Sequence, residues 1–322
     1  MTRNSSSSLF GLSSAGRKIS RRQSLMLGAG CMALGLRPTR GLGADEMILR
    51  AIPHSGEKVP TVGVGTARVF DVGTDGARRS ELEGVVSSLV AGGGSVIDTS
   101  SDYGSAEGVV GDLVEKLGAR PHVFIATKIR SGTDAKTARA EFERSLQRLR
   151  TDRIDLLQLH NVSRPDESLA QLREWKAMKL CRYVGVTSTY EDDYGAMETI
   201  IRREKPDFVE VAYSLGEREA EKRIIPACVD AGAGILTALP FGRSNLFRVV
   251  KGKPVPDWAQ EFDARSWAQL FLKFLIGNVA VTAVIPGTDK PEHMKDNLAA
   301  GRGRLPDEAQ RAKIVELWQS LD

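Results

Sequence analysis

Residues 95–160 open on Ser95-Val96-Ile97-Asp98, rise again at Val123-Phe124-Ile125-Ala126-Thr127-Lys128 and close on Ile154-Asp155-Leu156-Leu157-Gln158-Leu159-His160. Each run is short, apolar and finished by a polar or charged residue. Between them lie stretches whose apolar residues recur at the helical period: Val110, Leu113, Val114 and Leu117, then Ala138, Phe142, Leu146 and Leu149. Near-continuous apolar strands alternating with helices are the pattern of a parallel sheet covered by helices.

The same alternation extends in both directions. Further strand-like runs at Thr61–Val64, Tyr183–Thr187, Phe208–Tyr213, Gly234–Leu239 and Val281–Pro286 bring the number to eight. Eight such units with no composition break between them predict one closed (β/α)8 TIM barrel rather than an open doubly wound sheet. No Gly-x-Gly-x-x-Gly follows the first strand, which argues against a Rossmann domain. Asp134 and Asp166 are predicted N-caps of the helices that follow them. Residues 48–60, with Pro53, Ser55, Gly56 and Pro60, read as a small hairpin closing the barrel bottom. The connection from Pro240 to Ser266 is longer than a barrel loop requires, and excess length at the catalytic face is usually functional. A last amphipathic helix is predicted from about Pro306 to Leu321.

Composition is ordinary for a globular protein, with 41% hydrophobic and 27% charged residues, and the net charge of +4 belongs to the first residues. Seven of the 45 basic residues precede Asp45 and no acidic one does, so the remaining chain carries 38 basic against 41 acidic residues. Nothing there favours a nucleic-acid partner. The leader has a Ser-rich basic stretch ending in Ser20-Arg21-Arg22-Gln23-Ser24-Leu25, a soft apolar run from Leu25 to Leu36, and Gly41-Leu42-Gly43-Ala44 before Asp45-Glu46. That is the layout of a signal peptide. Its apolar run is too short for a membrane span, which needs roughly 20 residues. The paired arginines resemble a twin-arginine (Tat) export signal. The expected organisation is therefore a signal over residues 1–44 and a barrel over 45–322. The expected location is the periplasm or exterior, reached through the Tat machinery. A basic tail on a cytoplasmic enzyme and lipid attachment at Cys31 are the alternatives. Cys181 and Cys228 read as small core residues, and no histidines or cysteines stand at metal-ligand spacing.

Active-site residues of a (β/α)8 barrel sit at the C-terminal ends of its strands. Asp98, Lys128 and His160 end three successive runs, and the loop from Thr99 to Gly104 adds Tyr103. Together on one rim they support a definite chemistry. A lysine beside a phenol is expected to lower the phenol's pKa, a carboxylate holds the lysine charged, and a histidine hydrogen-bonds a substrate oxygen. Tyr103 then donates a proton to an oxygen gaining negative charge.

In order and spacing, Asp98, Tyr103-Gly104, Lys128 and Leu159-His160 resemble the Asp-Tyr-Lys-His tetrad of aldo-keto reductases. The likeness runs from about Ile52 to Asn297 and includes the opening Val59-Pro60-Thr61-Val62-Gly63-Val64-Gly65-Thr66. The resemblance implies an NAD(P)H-dependent reductase of small carbonyl compounds, with NADP(H) favoured over NAD(H) by a small margin. It matches Thr187-Ser188 to a Ser-Asn pair that holds the nicotinamide carboxamide and Tyr213 to an aromatic that stacks on the ring. Glu210 stands where the family has glutamine. Leu239, Gly242, Ser244 and Leu246 fall in the segment that clasps the pyrophosphate, with Arg243 a further charge. Thr288, Lys290 and His293 are expected near the 2'-phosphate, and Asn297 matches an adenine-binding asparagine. Gly287 and His293 replace the lysine and arginine that many members place there. The family's long C-terminal pocket loop has almost no counterpart here. The substrate walls are thus expected from the loop after His160 and from residues 240–266, where Phe247 and Trp258 are candidate contacts or loop anchors. The departures leave a second possibility, a nicotinamide-binding barrel that senses redox state or binds partners without turnover.

Overall fold

The computed structural model describes residues 46–164 and 166–321, so the leader reading lies outside the described residues. A hairpin of β1 (Leu49–Ala51) and antiparallel β2 (Lys58–Pro60) comes first. After it run β3 (Val64–Gly65), α1 (Gly76–Ala91), β4 (Val96–Asp98), α2 (Ala106–Lys116), β5 (Phe124–Arg130), α3 (Ala135–Arg148), β6 (Ile154–His160) and α4 (Ala170–Ala177). The second half holds β7 (Cys181–Ser188), α5 (Tyr194–Glu204), β8 (Phe208–Ala212), α6 (Ile224–Ala231), β9 (Gly234–Ala238), α7 (Asn245–Val249), α8 (Trp267–Ile276), β10 (Val281–Val284), α9 (Pro291–Ala299) and α10 (Glu308–Gln319). Strands β3 to β10 form one eight-stranded parallel sheet in chain order. Its edges meet: Val284 N donates to Thr61 O at 2.9 Å, Gly63 N to Val284 O at 2.9 Å and Gly65 N to Pro286 O at 3.2 Å. The sheet is a (β/α)8 barrel, as the alternation predicts.

Successive strand residues face opposite sides of the sheet, so each strand divides its side chains between the barrel interior and the layer under the helices. Val96, Phe124, Ala126, Leu156, Tyr183, Phe208, Leu236, Ala238 and Ala283 make the interior cluster, and the hairpin adds Ile52 and Val59 to it. The hairpin is thereby a plug. The alternate residues, among them Ile97, Ile125, Leu157, Val184, Val209 and Ile235, pack under the helices. In that outer layer Phe142 of α3 stacks on Trp175 of α4 with ring centroids 4.7 Å apart.

Two local readings need correction. Asp134 does cap α3, accepting from the N–H groups of Lys136 and Thr137 at 3.0 Å. Asp166 does not cap α4: that helix starts at Ala170, and the Ser168 hydroxyl accepts from its N–H at 3.1 Å. The first barrel strand is also shorter than the apolar run, because Thr61 and Gly63 are spent on closing the barrel against β10.

Candidate active site

Interior-facing parity carries four polar residues to the C-terminal end of the barrel: Asp98 of β4, Lys128 of β5, Gln158 of β6 and Glu210 of β8. All four are buried, Lys128 completely. Its Nζ donates to both Asp98 carboxylate oxygens at 2.6 Å and to the Thr99 carbonyl at 3.0 Å, with Glu210 Oε2 at 3.1 Å. Gln158 Nε2 donates to the same Glu210 oxygen at 2.8 Å. Burial alone would lower the Lys128 ammonium, but Asp98 and then Glu210 more than offset it and hold it charged. Two carboxylates facing one ammonium in a dry interior leave negative charge uncompensated. Burial first, and the Glu210 carboxylate second, raise the Asp98 carboxyl well above its usual range.

Tyr103 stands on the loop after β4, with Lys128 Nζ 5.3 Å from its ring centroid. The loop is fixed by Gly104, whose φ of +59° is left-handed and where a Cβ would fall 2.4 Å from the Asp71 carboxylate. Asp71 in turn accepts from Ser105 N at 2.9 Å and Ser105 Oγ at 2.8 Å. His160, at the end of β6, meets Tyr103 edge to face with centroids 5.7 Å apart. Ser100 Oγ lies 3.1 Å from His160 Nδ1, and Asp102 Oδ2 lies 3.6 Å from it. Burial, then Lys128, lowers the His160 pKa, so the ring is neutral at neutral pH. In the tautomer whose Nδ1 accepts from the Ser100 hydroxyl, Nε2 carries the hydrogen.

Lys128 does not lower the Tyr103 phenol below its ordinary value, contrary to the expectation from the sequence. Burial is the largest influence and pushes the phenol up to about 12; Lys128 opposes it, while Asp98 and Glu210 add to it. The lysine's protons are already committed to Asp98, Thr99 and Glu210.

The remaining sequence candidates lie around the same end of the barrel. Thr187 and Ser188 close β7, and Ser188 Oγ donates to Asp193 at 2.7 Å while accepting from Tyr190 N at 3.2 Å. Leu239 (φ +53°), Gly242 (+54°), Arg243 (+52°) and Ser244 (+70°) make a left-handed turn, and Leu246 is buried behind it. Thr288 Oγ1 accepts from Lys290 N at 3.1 Å, and Lys290 Nζ donates to Glu81 at 2.6 Å. His293 is exposed and Asn297 buried on α9. Tyr213 is the exception. It follows Val209 and Val211 into the outer layer, is fully buried there against Phe274, and binds Glu221 and Arg311 through its hydroxyl. It is not positioned to stack on a ring at the mouth, because Glu210 takes the opposite parity on the same strand.

Phe247 packs between Phe241 and Phe271, and Trp258 lies against Phe262 with Lys313 over its ring, so both anchor residues 240–266. The cavity beside His160 is instead walled by the loops after β5 and β6. Sequence reasoning passed over Gln158, which strand parity identifies, and Ser100 and Asp102, which only the folded loop brings to His160. Among the described residues no group of side chains could hold a metal ion, and no helix is long and apolar enough to cross a membrane.

An acid, a buried lysine, a phenol and a neutral imidazole converging at the C-terminal mouth of such a barrel define a carbonyl reductase of the barrel class. The model of the aldo/keto reductase family matches residues 61–319, and the chain belongs to that family. It is an NAD(P)H-dependent oxidoreductase acting on carbonyl compounds. The chain is similar to methylglyoxal reductase YeaE of Escherichia coli K12, 28% identical over 261 residues that cover 78% of this chain and 88% of that protein. It is also similar to the NADH-specific methylglyoxal reductase of the same organism, 26% identical over 71% of this chain and 84% of that one. Among solved structures, an aldo-keto reductase from Klebsiella pneumoniae in complex with NADPH superposes with a TM-score of 0.69 at 25% identity, covering 84% of this chain and 95% of that chain.

Proposed function

We propose that the chain reduces an aldehyde or ketone to an alcohol, with Tyr103 protonating the carbonyl oxygen and His160 hydrogen-bonding it. The observation that carries this is the edge-to-face pair of Tyr103 and His160 above the buried Lys128–Asp98 pair. A phenol held at about 12 stays protonated through neutral pH, which suits a donor. The nicotinamide, when bound, supplies the hydride. Residues at this mouth fit such a group: Gln158 Oε1 is buried without a partner, and Ser188 Oγ keeps a lone pair. The N–H groups of Arg243 and Ser244 have no backbone acceptor among the described residues, which suits a pyrophosphate on the left-handed turn. Thr187 and Ser188 would hold the carboxamide, residues 239–246 the pyrophosphate, and Thr288 and Asn297 the adenosine end. Glu210, bound to Lys128 and Gln158, is a partner of the lysine first. Tyr103→Phe is expected to lower kcat by about 100-fold or more and leave cofactor affinity unchanged. Activity within a few-fold of the parent would remove Tyr103 from the role.

NADP(H) is the proposed cofactor by a small margin. Lys290 and His293 are the nitrogen-bearing side chains near the expected 2'-phosphate, yet Lys290 is paired with Glu81. One relative is named as NADH-specific and one neighbour was solved with NADPH, so the wider family takes either.

Residues 1–44 are proposed as a Tat signal that exports the barrel folded around its cofactor, because bound ligand stabilises the folded state. Processed protein from the periplasm should carry nicotinamide after denaturation, and an Arg21→Lys, Arg22→Lys variant should stay in the cytoplasm. Arrival without cofactor, or export without the arginine pair, would sink this.

A further inference from the structure

The cavity that touches His160 has two arginines in its walls, and no role in the tetrad chemistry absorbs them. It measures about 380 Å³, and Asp102 of the loop after β4, Arg130 at the end of β5, His160, Arg164 and Glu167 are among the residues that line it. That volume fits a small molecule. A substrate whose carbonyl oxygen rests on His160 has this cavity, with both guanidinium groups in its wall, beside it.

The state of each charge in the wall decides what the cavity accepts. Asp102 is already committed, taking Arg130 Nε at 2.8 Å and Arg130 Nη2 at 2.7 Å on one oxygen. Glu167 Oε1 accepts from the N–H groups of Ser163 at 3.2 Å and Arg164 at 3.1 Å, and its other oxygen is buried without a hydrogen-bond partner. Arg164 is different. Its nearest carboxylate is Glu167 at 3.8 Å from Nε, beyond hydrogen-bond length, and 60% of its side chain is exposed. Neither Nη has an acceptor among the described residues. Gly132 gives the guanidinium its seat, for a Cβ there would fall 2.6 Å from Arg164 Nη2. One oxygen of Asp102 and one of Glu167 are taken and Glu167 Oε2 is buried without a partner, while on Arg164 a planar fork of donors is open to the cavity. Such a fork matches a carboxylate or a phosphate in two parallel hydrogen bonds.

We propose that this cavity is the subsite for an anionic group, and that the preferred substrates are small carbonyl compounds carrying a carboxylate or phosphate, read chiefly by Arg164. The proposal rests on the reductase reading above. Charge at a partly exposed site is screened, so the expected preference is about tenfold rather than a thousandfold.

The test measures kcat/KM of the full chain, with NADPH and with NADH, on two matched pairs: succinate semialdehyde against butanal, and glyceraldehyde 3-phosphate against glyceraldehyde. The anionic member of at least one pair should lead by about tenfold or more, mainly through KM, and the leading pair identifies carboxylate or phosphate as the group. That ratio should fall toward unity in Arg164→Gln and persist in large part in Arg164→Lys, with unfolding midpoints unchanged. Arg130→Gln gives an independent second reduction. Turnover of the neutral members with no anionic preference in the parent, or a preference that survives both Arg→Gln changes, overturns the subsite and leaves the reductase reading standing. No turnover of any member with either cofactor overturns that reading, and the subsite with it.

Discussion

The two ends of the barrel are built from the same interior positions and hold opposite chemistries. At the N-terminal end Phe124, Tyr183 and Phe208 pack with ring centroids 5.7–5.9 Å apart beneath the hairpin residues Ile52 and Val59. The Tyr183 hydroxyl at that end donates to Glu57 at 2.6 Å and shares a 2.8 Å hydrogen bond with the Ser55 hydroxyl, and Arg182 closes on the same glutamate. Two or four residues further along the strands, on the same face, stand Asp98, Lys128 and Glu210. One periodicity thus makes a satisfied apolar floor and a buried charge cluster. Buried ion clusters are weak sources of stability, because desolvation offsets much of their attraction. The floor holds the barrel, and the top spends part of that stability on chemistry.

The largest effect should therefore come from the floor. Phe208→Ala removes a ring that touches both Phe124 and Tyr183, and should cost about 3–5 kcal/mol in denaturant unfolding. The turnover of the molecules that remain folded should match the parent. A loss of kcat at full folding would break the division between the two ends.

Glu210→Gln probes the top with the opposite sign. Glu210 is the surplus carboxylate, so replacing it leaves a matched Asp98–Lys128 pair, and stability near pH 8 should hold or rise by about 1 kcal/mol. The pH dependence gives the sharper reading. The Asp98 carboxyl is raised above the usual aspartate range by burial and then by Glu210, so the folded state binds its proton more tightly than the unfolded chain does. Its contribution to stability is present below the unfolded pKa and is lost as pH rises through the folded one. Without Glu210 the loss above about pH 4 should shrink relative to the parent. An unchanged slope, or a fall of more than about 2 kcal/mol, would show that Glu210 is a required member of the cluster.

Much of this was legible because parity and strand ends are local properties. Eight apolar runs implied the barrel, and the residues ending three of them located Asp98, Lys128 and His160. The failures share a different cause. Tyr213 was assigned to the mouth by resemblance, although Glu210 three residues earlier already claims the interior face of β8. The Tyr103 phenol was expected to be lowered because lysine is near, but the lysine's other partners arrive from β4 and β8, which no local reading counts. Excess chain at residues 240–266 pointed to a substrate wall, whereas its aromatics fold back onto Phe271 and beneath Lys313. The cavity brings Arg130, at the end of β5, and Arg164, on the loop after β6, into one wall only after folding.

The smallest effect belongs to the outer rim of the top, where charges are solvated and the contrast with the dry cluster is greatest. Lys290 donates to Glu81 at 2.6 Å with both side chains substantially exposed, a pair that salt and water keep weak. Under the proposed cofactor placement, Lys290 serves either Glu81 or the 2'-phosphate that distinguishes NADPH from NADH. Fluorescence titration of the parent should then give a preference for NADPH well below about 1,000-fold, or 4 kcal/mol. Glu81→Gln should raise it by about threefold, acting on NADPH alone, since an exposed pair contributes less than about 1 kcal/mol. Lys290→Gln should lower NADPH affinity by a comparable factor, and both changes should fade as salt is raised, whereas the cluster around Lys128, shut away from ions, should not respond. A Glu81→Gln change that moved NADH and NADPH equally would place Lys290 outside phosphate recognition and leave the rim as a surface ion pair.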